Sequence, residues 1–458
     1  MAYTETTTTS YGSRVKNSCA GIGVGIVMFL AGTALLWWNE GRAVKTADML
    51  EEAEEVCVDM PKPEKIDRSL DGELVCASAM ATTEDSLSDE EFNIGAKAIG
   101  LQRSVKYYQW VEHESTKTED KLGGKEVKTT TYTYSKEWVS RPVESASFHD
   151  PAYQNKNMVL TTIEGYEKWA ENVSFGAYKL NDGLIEMISS KELLGFALPT
   201  EVLKEMEKNT KTAYERFYGP VEKPATPAAK PAAKPAPAVA ATPTADSTAA
   251  AQAADSTMTV SADTIPVYEE SPYDFIHVAK GAIYYGRTPG SPEVGDVEVT
   301  FMEVVPAKVT VIAVADGDTF KPYKAKNKKT FQTLRMGKKS AAEIFESENE
   351  ANTMWTWILR IAGIFLIVMG LRGVFGIIET LLKVVPFVSN IVGFGVNLVC
   401  GIIGTVWGLI VIAVAWIFYR PLLGIAILVV AGLLIWLFAF KGKDKIKELA
   451  NKKKEAKE

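Results

Sequence analysis

The sequence predicts a multi-pass α-helical membrane protein of four spans, with a large β-rich α+β extramembrane domain inserted between spans one and two. Three observations carry that reading. One uncharged stretch, Cys19 to Trp38, lies near the N-terminus, and three more apolar stretches are packed between Thr353 and Phe440. Residues 39–352 between them are mostly polar and charge-rich. Within that interval, runs rich in Tyr, Trp, Val and Thr flank Gly123-Gly124, the pattern of a β-hairpin. A bilayer core of about 30 Å is crossed by about 20 apolar helical residues.

Cys19–Trp38 supplies 20 uncharged residues and ends in Trp37-Trp38, an aromatic pair suited to an interface. The run is too long for a signal-peptide core, and Asn39-Glu40-Gly41-Arg42 is no small-x-small cleavage site. Residues 1–18 are then an N-tail, and 19–38 the first span. Thr353–Leu371 holds one charge, Arg360, and is entered through Trp355 and Trp357. It predicts a second span over 353–372, with Arg360 snorkelling to the interface. Val384–Tyr419 is uncharged over 36 residues and Leu422–Phe440 over 19 more. As one helix the two would run about 85 Å, so the chain must reverse. Tyr419-Arg420-Pro421 is the place for it, because proline disfavours helix at the residue before it. Spans three and four are thus 391–419 and 422–440. In the loop 373–390, Val374, Ile377, Ile378, Leu381, Leu382 and Val385 recur at helical spacing opposite Glu379 and Lys383. That suits an amphipathic interfacial helix, the alternative being a plain extension of span two.

Charge sets the orientation. The basic C-tail, 441–458, carries eight Lys against four acids, while acidic residues flank the large domain at Asp48–Glu55 and Glu343–Glu350. The positive-inside rule puts both tails in the cytosol and the domain in a lumen or periplasm. The formal charge is −7; setting aside the C-tail (+4), the N-tail (+1) and residues 353–440 (+3) leaves −15 for the rest. Such a domain is a poor partner for nucleic acid or anionic headgroups. Membrane lipid is the expected contact of the spans, and the C-tail is a topology signal or a lipid contact.

Residues 220–262, rich in Ala, Pro, Lys, Thr and Ser, cannot bury a core and read as a disordered linker. They divide the domain into 39–219, β-rich with helices, and 263–352, β-rich. Ser104–Glu114 and Lys125–Ser140 are the hairpin strands; Ser190–Tyr218 reads as helix interrupted at Pro199. Asp296–Glu303 and Lys308–Ala315 alternate like strands, Asp316-Gly317-Asp318 then turns the chain, and Ser340-Ala-Ala-Glu343 is a capping box for a helix that would run into span two.

Little here carries chemistry. The three histidines, His113, His149 and His277, are scattered, no Cys-x-x-Cys occurs, and neither a Walker loop nor a Gly-x-Ser-x-Gly elbow is present. No catalytic, cofactor or metal site is predicted, and the chain reads as a non-enzyme. Gly21, Gly23 and Gly25 lie inside span one as helix-packing glycines. In span three, Gly401, Gly404 and Gly408 are helix-packing residues; they would meet either span four or a second copy in a homo-oligomer. Cys57 and Cys76 would pair if the compartment is oxidising and the geometry allows.

Four long motifs resemble the transmembrane protein 43 (LUMA) family. They are Leu35-Leu36-Trp37-Trp38-Asn39-Glu40-Gly41-Arg42-Ala43; Tyr108-Gln109-Trp110-Val111-Glu112 followed by Tyr132–Trp138; Pro292-Glu293-Val294-Gly295-Asp296-Val297; and Trp416-Ile417-Phe418-Tyr419-Arg420-Pro421-Leu422. Their order and spacing agree over nearly the whole chain, with the linker 220–262 and the Thr-rich N-tail as departures. The resemblance implies a four-span membrane organiser without established catalysis, facing the endoplasmic reticulum lumen and perinuclear space. It also implies self-association and links to emerin and lamins at the inner nuclear membrane. Related bacterial chains imply a cytoplasmic-membrane protein with a periplasmic domain, which the Ala-Lys-Pro linker favours. The rivals are an oligomeric channel or transporter and a lumenal membrane enzyme.

Overall fold

The computed structural model describes residues 2–221, 266–268, 271–382 and 386–421, with side chains for all but 386–391. Residues 222–262 of the linker, the fourth span and the C-tail lie outside the described residues. There are five described helices: α1 (Tyr11–Val56), α2 (Asp182–Ile185), α3 (Thr200–Tyr218), α4 (Ala341–Leu382) and α5 (Pro386–Tyr419). Three of them hold segments long and apolar enough to cross a membrane: α1, α4 and Val392–Tyr419 of α5.

The N-terminal helix begins earlier than the uncharged run, because Ser10 caps it by accepting from the backbone N–H of Ser13 at 3.3 Å. It continues past Trp38 to Val56 without a breaker. α4 is equally continuous. Ser340 and Glu343 form the predicted capping box, Glu343 Oε2 accepting from the Ser340 N–H at 2.8 Å. The helix then runs through the second span to Leu382. The interfacial loop expected at 373–390 is therefore, over 373–382, an extension of that helix. Its reason is packing: Gly370 and Gly373 lie against Gly25 of α1, so closely that a Cβ on Gly370 would come within 2.5 Å of the Phe29 nitrogen. Farther on, Ser18 and Thr380 share a hydrogen bond of 2.7 Å across the two helices.

α5 packs on this pair. A Cβ on Gly404 would meet Val368 at 2.7 Å, and one on Gly408 would meet Ile364 at 2.8 Å, whereas Gly401 has nothing within 4 Å. Gly404 and Gly408 thus seat α5 on span two within one chain. Gly21 makes a marginal contact with Gly373 and Gly23 makes none.

Two large sheets form the body of the domain, with two short two-stranded pairs beside them. The first runs, in spatial order, Tyr3–Thr9, Glu126–Val139, Gly100–Asp120, Val297–Val304, Ala282–Tyr285 and Ile276–Ala279, with Tyr166–Trp169 and Lys191–Leu193 attached. In the second, Ala307–Asp316 pairs both with Thr319–Lys321 and with Leu74–Thr83, closing a ring through Val173–Phe175 and Tyr178–Lys179. One large core lies between the sheets, with Phe175, Tyr178, Val299, Phe301 and Val311 fully buried. The predicted hairpin is present but longer than expected, registered from Tyr107↔Val139 to Asp120↔Glu126. Gly123 and Gly124 turn it, at φ +83° and +77°. α3 starts after Pro199 as expected, whereas the stretch before it contains a strand, Lys191–Leu193, that bonds Val297–Val304.

The N-tail departs from expectation. Tyr3–Thr9 forms a strand on the hairpin edge, registered Tyr3↔Tyr132 to Thr9↔Glu126. Arg14, buried at the start of α1, holds the hairpin tip through Asp120 at 2.7 Å and Glu126 at 3.0 Å. A Thr-rich run has the β-propensity for this, but nothing local names its partner.

Both long helices are rooted in the domain. Met49, Leu50 and Ala53 of α1 and Ile344 and Phe345 of α4 form one buried cluster with Leu74, Cys76, Ile312 and Phe331. Overpacking the α1–α4 contact should cost about 1–3 kcal/mol or more. We predict that Gly370→Leu lowers the thermal midpoint of the solubilised chain by several degrees, while Gly401→Leu leaves it unchanged. An equal loss in both would mean that these glycines are not distinguished by their helix contacts.

Candidate functional site

Where α1 leaves its apolar run, Asn39, Glu40, Gly41 and Arg42 each make a different contact. Glu40, with a side chain only 1% exposed, receives both Nε and Nη2 of Arg360 at 2.7 Å. Its Oε2 also accepts from the Trp416 indole at 2.7 Å. One carboxylate therefore joins α1, α4 and α5. The Arg360 guanidinium lies 4.9 Å over the Trp357 ring and 5.6 Å over that of Trp416. Arg360 is thus an ion-paired residue, not a snorkelling one. Asn39 donates to the Thr356 carbonyl at 3.0 Å, and Arg42 reaches Asn352 Oδ1 at 3.2 Å and Thr356 Oγ1 at 3.1 Å. A Cβ on Gly41 would lie 2.6 Å from the Tyr419 ring, so a larger residue there would displace that ring. Trp37 packs on Phe418 and Tyr419. Trp38 faces outward, 58% exposed. A cleft of about 190 Å³ beside this clasp is lined by Glu40, Arg360, Trp416 and Arg420 among others. α5 ends at Tyr419, and the reversal beyond Pro421 lies outside the described residues.

The motif Pro292–Val297 builds a second polar centre. Asp296 is 1% exposed; its Oδ2 accepts from the Tyr284 hydroxyl at 2.6 Å and the Glu293 N–H at 2.8 Å. Its Oδ1 is buried without a hydrogen-bond partner. Burial pushes this carboxyl up to about 6, against the pull of the Tyr284 hydrogen bond. Gly295 takes φ +104°, and a Cβ on Gly286 would meet the Asp296 carboxyl at 2.4 Å. Glu293 accepts from Tyr214 at 2.7 Å, tying α3 to the motif.

Gln109, Trp110 and Trp138 hold the hairpin base. Gln109 donates to the Met158 carbonyl at 3.1 Å and accepts from the Val143 N–H at 2.5 Å. The Trp110 backbone pairs with the Asn157 amide, and the Trp138 ring packs on Tyr108 and Tyr284. The histidines stand apart: His113 on Glu137, His149 on Glu112, His277 on the Arg287 carbonyl. The hydrogen bond to Glu112 raises the His149 pKa.

Cys57 directly precedes a strand, Val58–Met60, whose Asp59 lies opposite Cys76. Both are free thiols, pushed up to about 12 and about 11 chiefly by burial, and so are protonated and weakly nucleophilic at neutral pH. The nearby cavity of about 570 Å³ sets Asp59 and Glu343 against Lys308, Lys338 and Lys339. Among the described residues, no group of three or more His, Cys, Asp or Glu is placed to hold a metal.

Sequence reasoning missed the Glu40–Arg360 pair. Its signal was present: Glu40 lies two residues past the Trp37-Trp38 end of one apolar segment, and Arg360 is the single charge near the Trp-rich start of another.

The profile of the transmembrane protein 43 family matches residues 107–223 and 240–421. Transmembrane protein 43 of Rattus norvegicus is 30% identical over 421 residues, covering 89% of this chain and 87% of its own length. That of Homo sapiens is 28% identical over 432 residues, covering 92% and 89%. The homolog of Drosophila melanogaster is 24% identical over 414 residues, covering 89% and 91%. No solved structure matches the chain. This chain belongs to the transmembrane protein 43 family.

Breaking the buried pair from one side should cost about 3–5 kcal/mol. Glu40→Ala should therefore destabilise the solubilised chain strongly. Glu40→Leu with Arg360→Met, which removes both charges, should recover most of that loss in thermal unfolding. Asp296 gives a pH signature. Its folded pKa of about 6 exceeds the usual 3.8, so the folded state binds more protons between the two values. Stability should fall as pH rises through that window and stay lower above it. Asp296→Asn should flatten this slope; an unchanged slope would assign it to another group.

Proposed function

We propose that this member of the transmembrane protein 43 family is a non-enzymatic membrane scaffold. Its helices anchor it, its tails lie in the cytosol, and its β-rich domain is presented to a lumen or periplasm. Chains associate into homo-oligomers or larger complexes, with emerin and lamins as expected partners in a cell that has a nucleus. There the membrane would be the endoplasmic reticulum or inner nuclear membrane; in a bacterium, the cytoplasmic membrane. In an oxidising compartment Cys57 and Cys76 form a disulfide.

The observation that carries this reading is the joint between membrane and domain. α1 and α4 pass unbroken from their apolar segments into a shared core with the sheets, and the Glu40 clasp fixes them to each other and to α5. Such a joint holds a surface at a set position; it forms no substrate path. Arg360 is neutralised by Glu40, and Gly404 and Gly408 face α4, so neither supports a pore.

The scaffold topology demands that the N-terminal strand leave the hairpin. Arg14 and Glu40 are separated by about 39 Å of helix, more than the hydrocarbon thickness. A polar ribbon running that distance beside the helices cannot share the slab with lipid, because its backbone groups and charges would lack partners. A cysteine pair reads this directly. Thr6→Cys with Thr129→Cys, opposite each other in register, should fail to cross-link under oxidant in sealed native membranes. Thr118→Cys with Lys128→Cys, within the hairpin, should cross-link in the same membranes. A strong Thr6–Thr129 cross-link there would overturn the four-span orientation.

A further inference from the structure

The net acidity of the domain conceals a concentration of positive charge at one place. Tyr323–Lys324 and Thr330–Phe331 pair as a short hairpin whose turn brings Lys324, Lys326, Lys328 and Lys329 within six residues. The turn is bolted to α1. Tyr323 donates its hydroxyl to Glu52 at 2.7 Å, and the Lys326 N–H also meets that carboxylate. Asn327 donates to the Lys45 carbonyl at 2.7 Å, and Lys329 Nζ donates to Thr46 Oγ1 at 2.5 Å. Because its base meets Glu52 and its tip meets Lys45, the hairpin points along α1 toward Trp38.

Trp38, Arg42 and Lys45 recur at i, i+4 and i+7 and so share the α1 face that the turn approaches. Trp38 is exposed there, at the level of the exposed Trp355 and Trp357 of α4. Lys45 lies about 10 Å beyond Trp38 along the helix. The headgroup layer is about 5–8 Å deep on each side, so Arg42 lies within it and the lysine side chains reach its outer edge. Among the described residues, none of Arg42, Lys45, Lys324, Lys326, Lys328 and Lys329 is in an ion pair. Lys329 has its pKa lowered by burial and by crowding from Arg42 and Lys45. Lys328 adopts φ +68°, a conformation in which Gly or Asn would cost less.

We propose that this turn, with Arg42 and Lys45, binds the phosphate-bearing headgroups of anionic phospholipids in the leaflet facing the domain. The proposal rests on α1 and α4 crossing the membrane and does not depend on which compartment the domain faces. A lipid source is favoured over a soluble phosphate by the Trp38 surface directly below the cations, which a headgroup with acyl chains would cover and a free anion would not.

The test uses the full chain purified in a neutral detergent, with native mass spectrometry counting retained phosphatidylglycerol against phosphatidylcholine. Lys324→Gln, Lys326→Gln, Lys328→Gly and Lys329→Gln together should weaken phosphatidylglycerol retention at least tenfold, from about fivefold per lysine, and leave phosphatidylcholine unchanged. Lys328→Gly alone relieves the turn and should still weaken it severalfold, so misfolding cannot account for the loss. Neutralising Lys452, Lys453 and Lys454 of the C-tail should leave it unaltered. Equal retention by the turn variants, or loss only in the tail variant, would overturn the proposal. So would inorganic phosphate or glycerol phosphate raising the thermal midpoint as much as phosphatidylglycerol does, since that would make the ligand soluble. Because retention is read in micelles, its failure is separate from that of the Thr6–Thr129 experiment.

Discussion

The structure depends on one carboxylate. Glu40 sits where an apolar helix meets the headgroup layer, and an ionised side chain is costly there unless its charge and its lone pairs are matched. Arg360 supplies the charge in two hydrogen bonds and Trp416 a third donor, so one residue from each of α1, α4 and α5 must be in place together. The pair sets the axial register of α1 on α4, because a slip of one residue would part them. Given that register, the small residues fall opposite each other: Gly25 faces Gly370 and Gly373, and Gly32 faces Gly363. Apolar helices in lipid have little hydrophobic reason to prefer one register, so a polar clasp and a glycine seam together define what greasy side chains cannot.

What was legible in the sequence follows the range of the interaction. Three of the apolar segments, the Gly123-Gly124 turn, the alternating strands that precede Gly317 and the Ser340–Glu343 cap are all written in a few adjacent residues, and each is present among the described residues. The partners of Arg360 and Arg14 lie 320 and more than 100 residues away, and composition cannot name them. Snorkelling is the sensible expectation for one Arg near a Trp-rich boundary; it fails because Glu40 lies at the same height on another helix. The extension of α4 through 373–382 was undecidable from amphipathicity alone, since the same spacing serves an interfacial helix and a continued one. The glycine contacts with α1 decide it. Residues of the family motifs act as structural punctuation: Gly41 lies against Tyr419, Asp296 fits against Gly286, and Gln109 fastens a loop.

The long hairpin sets the second constraint. Its distal half is polar, and its outer edge offers unpaired backbone groups that a Thr-rich strand satisfies. That edge will take a strand from wherever one is available. Under the proposed topology, with α1 crossing the bilayer, Tyr3–Thr9 and the hairpin tip would occupy opposite faces, and the edge would be left to water or to another extended segment. The hairpin is thus the element of the domain whose environment the membrane changes most, while the sheets behind Gln109 and Asp296 are held by contacts that do not involve α1's first turns.

Charge segregation links these points. A domain of strongly negative net charge suggests repulsion from anionic surfaces, but electrostatic attraction is screened within about 10 Å and only the nearest groups count. Of the acids of α1 beyond Lys45, Glu52 is occupied by the Tyr323 hydroxyl and the Lys326 N–H. In the proposed arrangement the bilayer would therefore meet the lysine turn, Arg42 and the exposed Trp38. Net charge predicts the behaviour of this domain at a distance and misleads at contact, where the turn's attachment to α1 decides which sign the membrane meets.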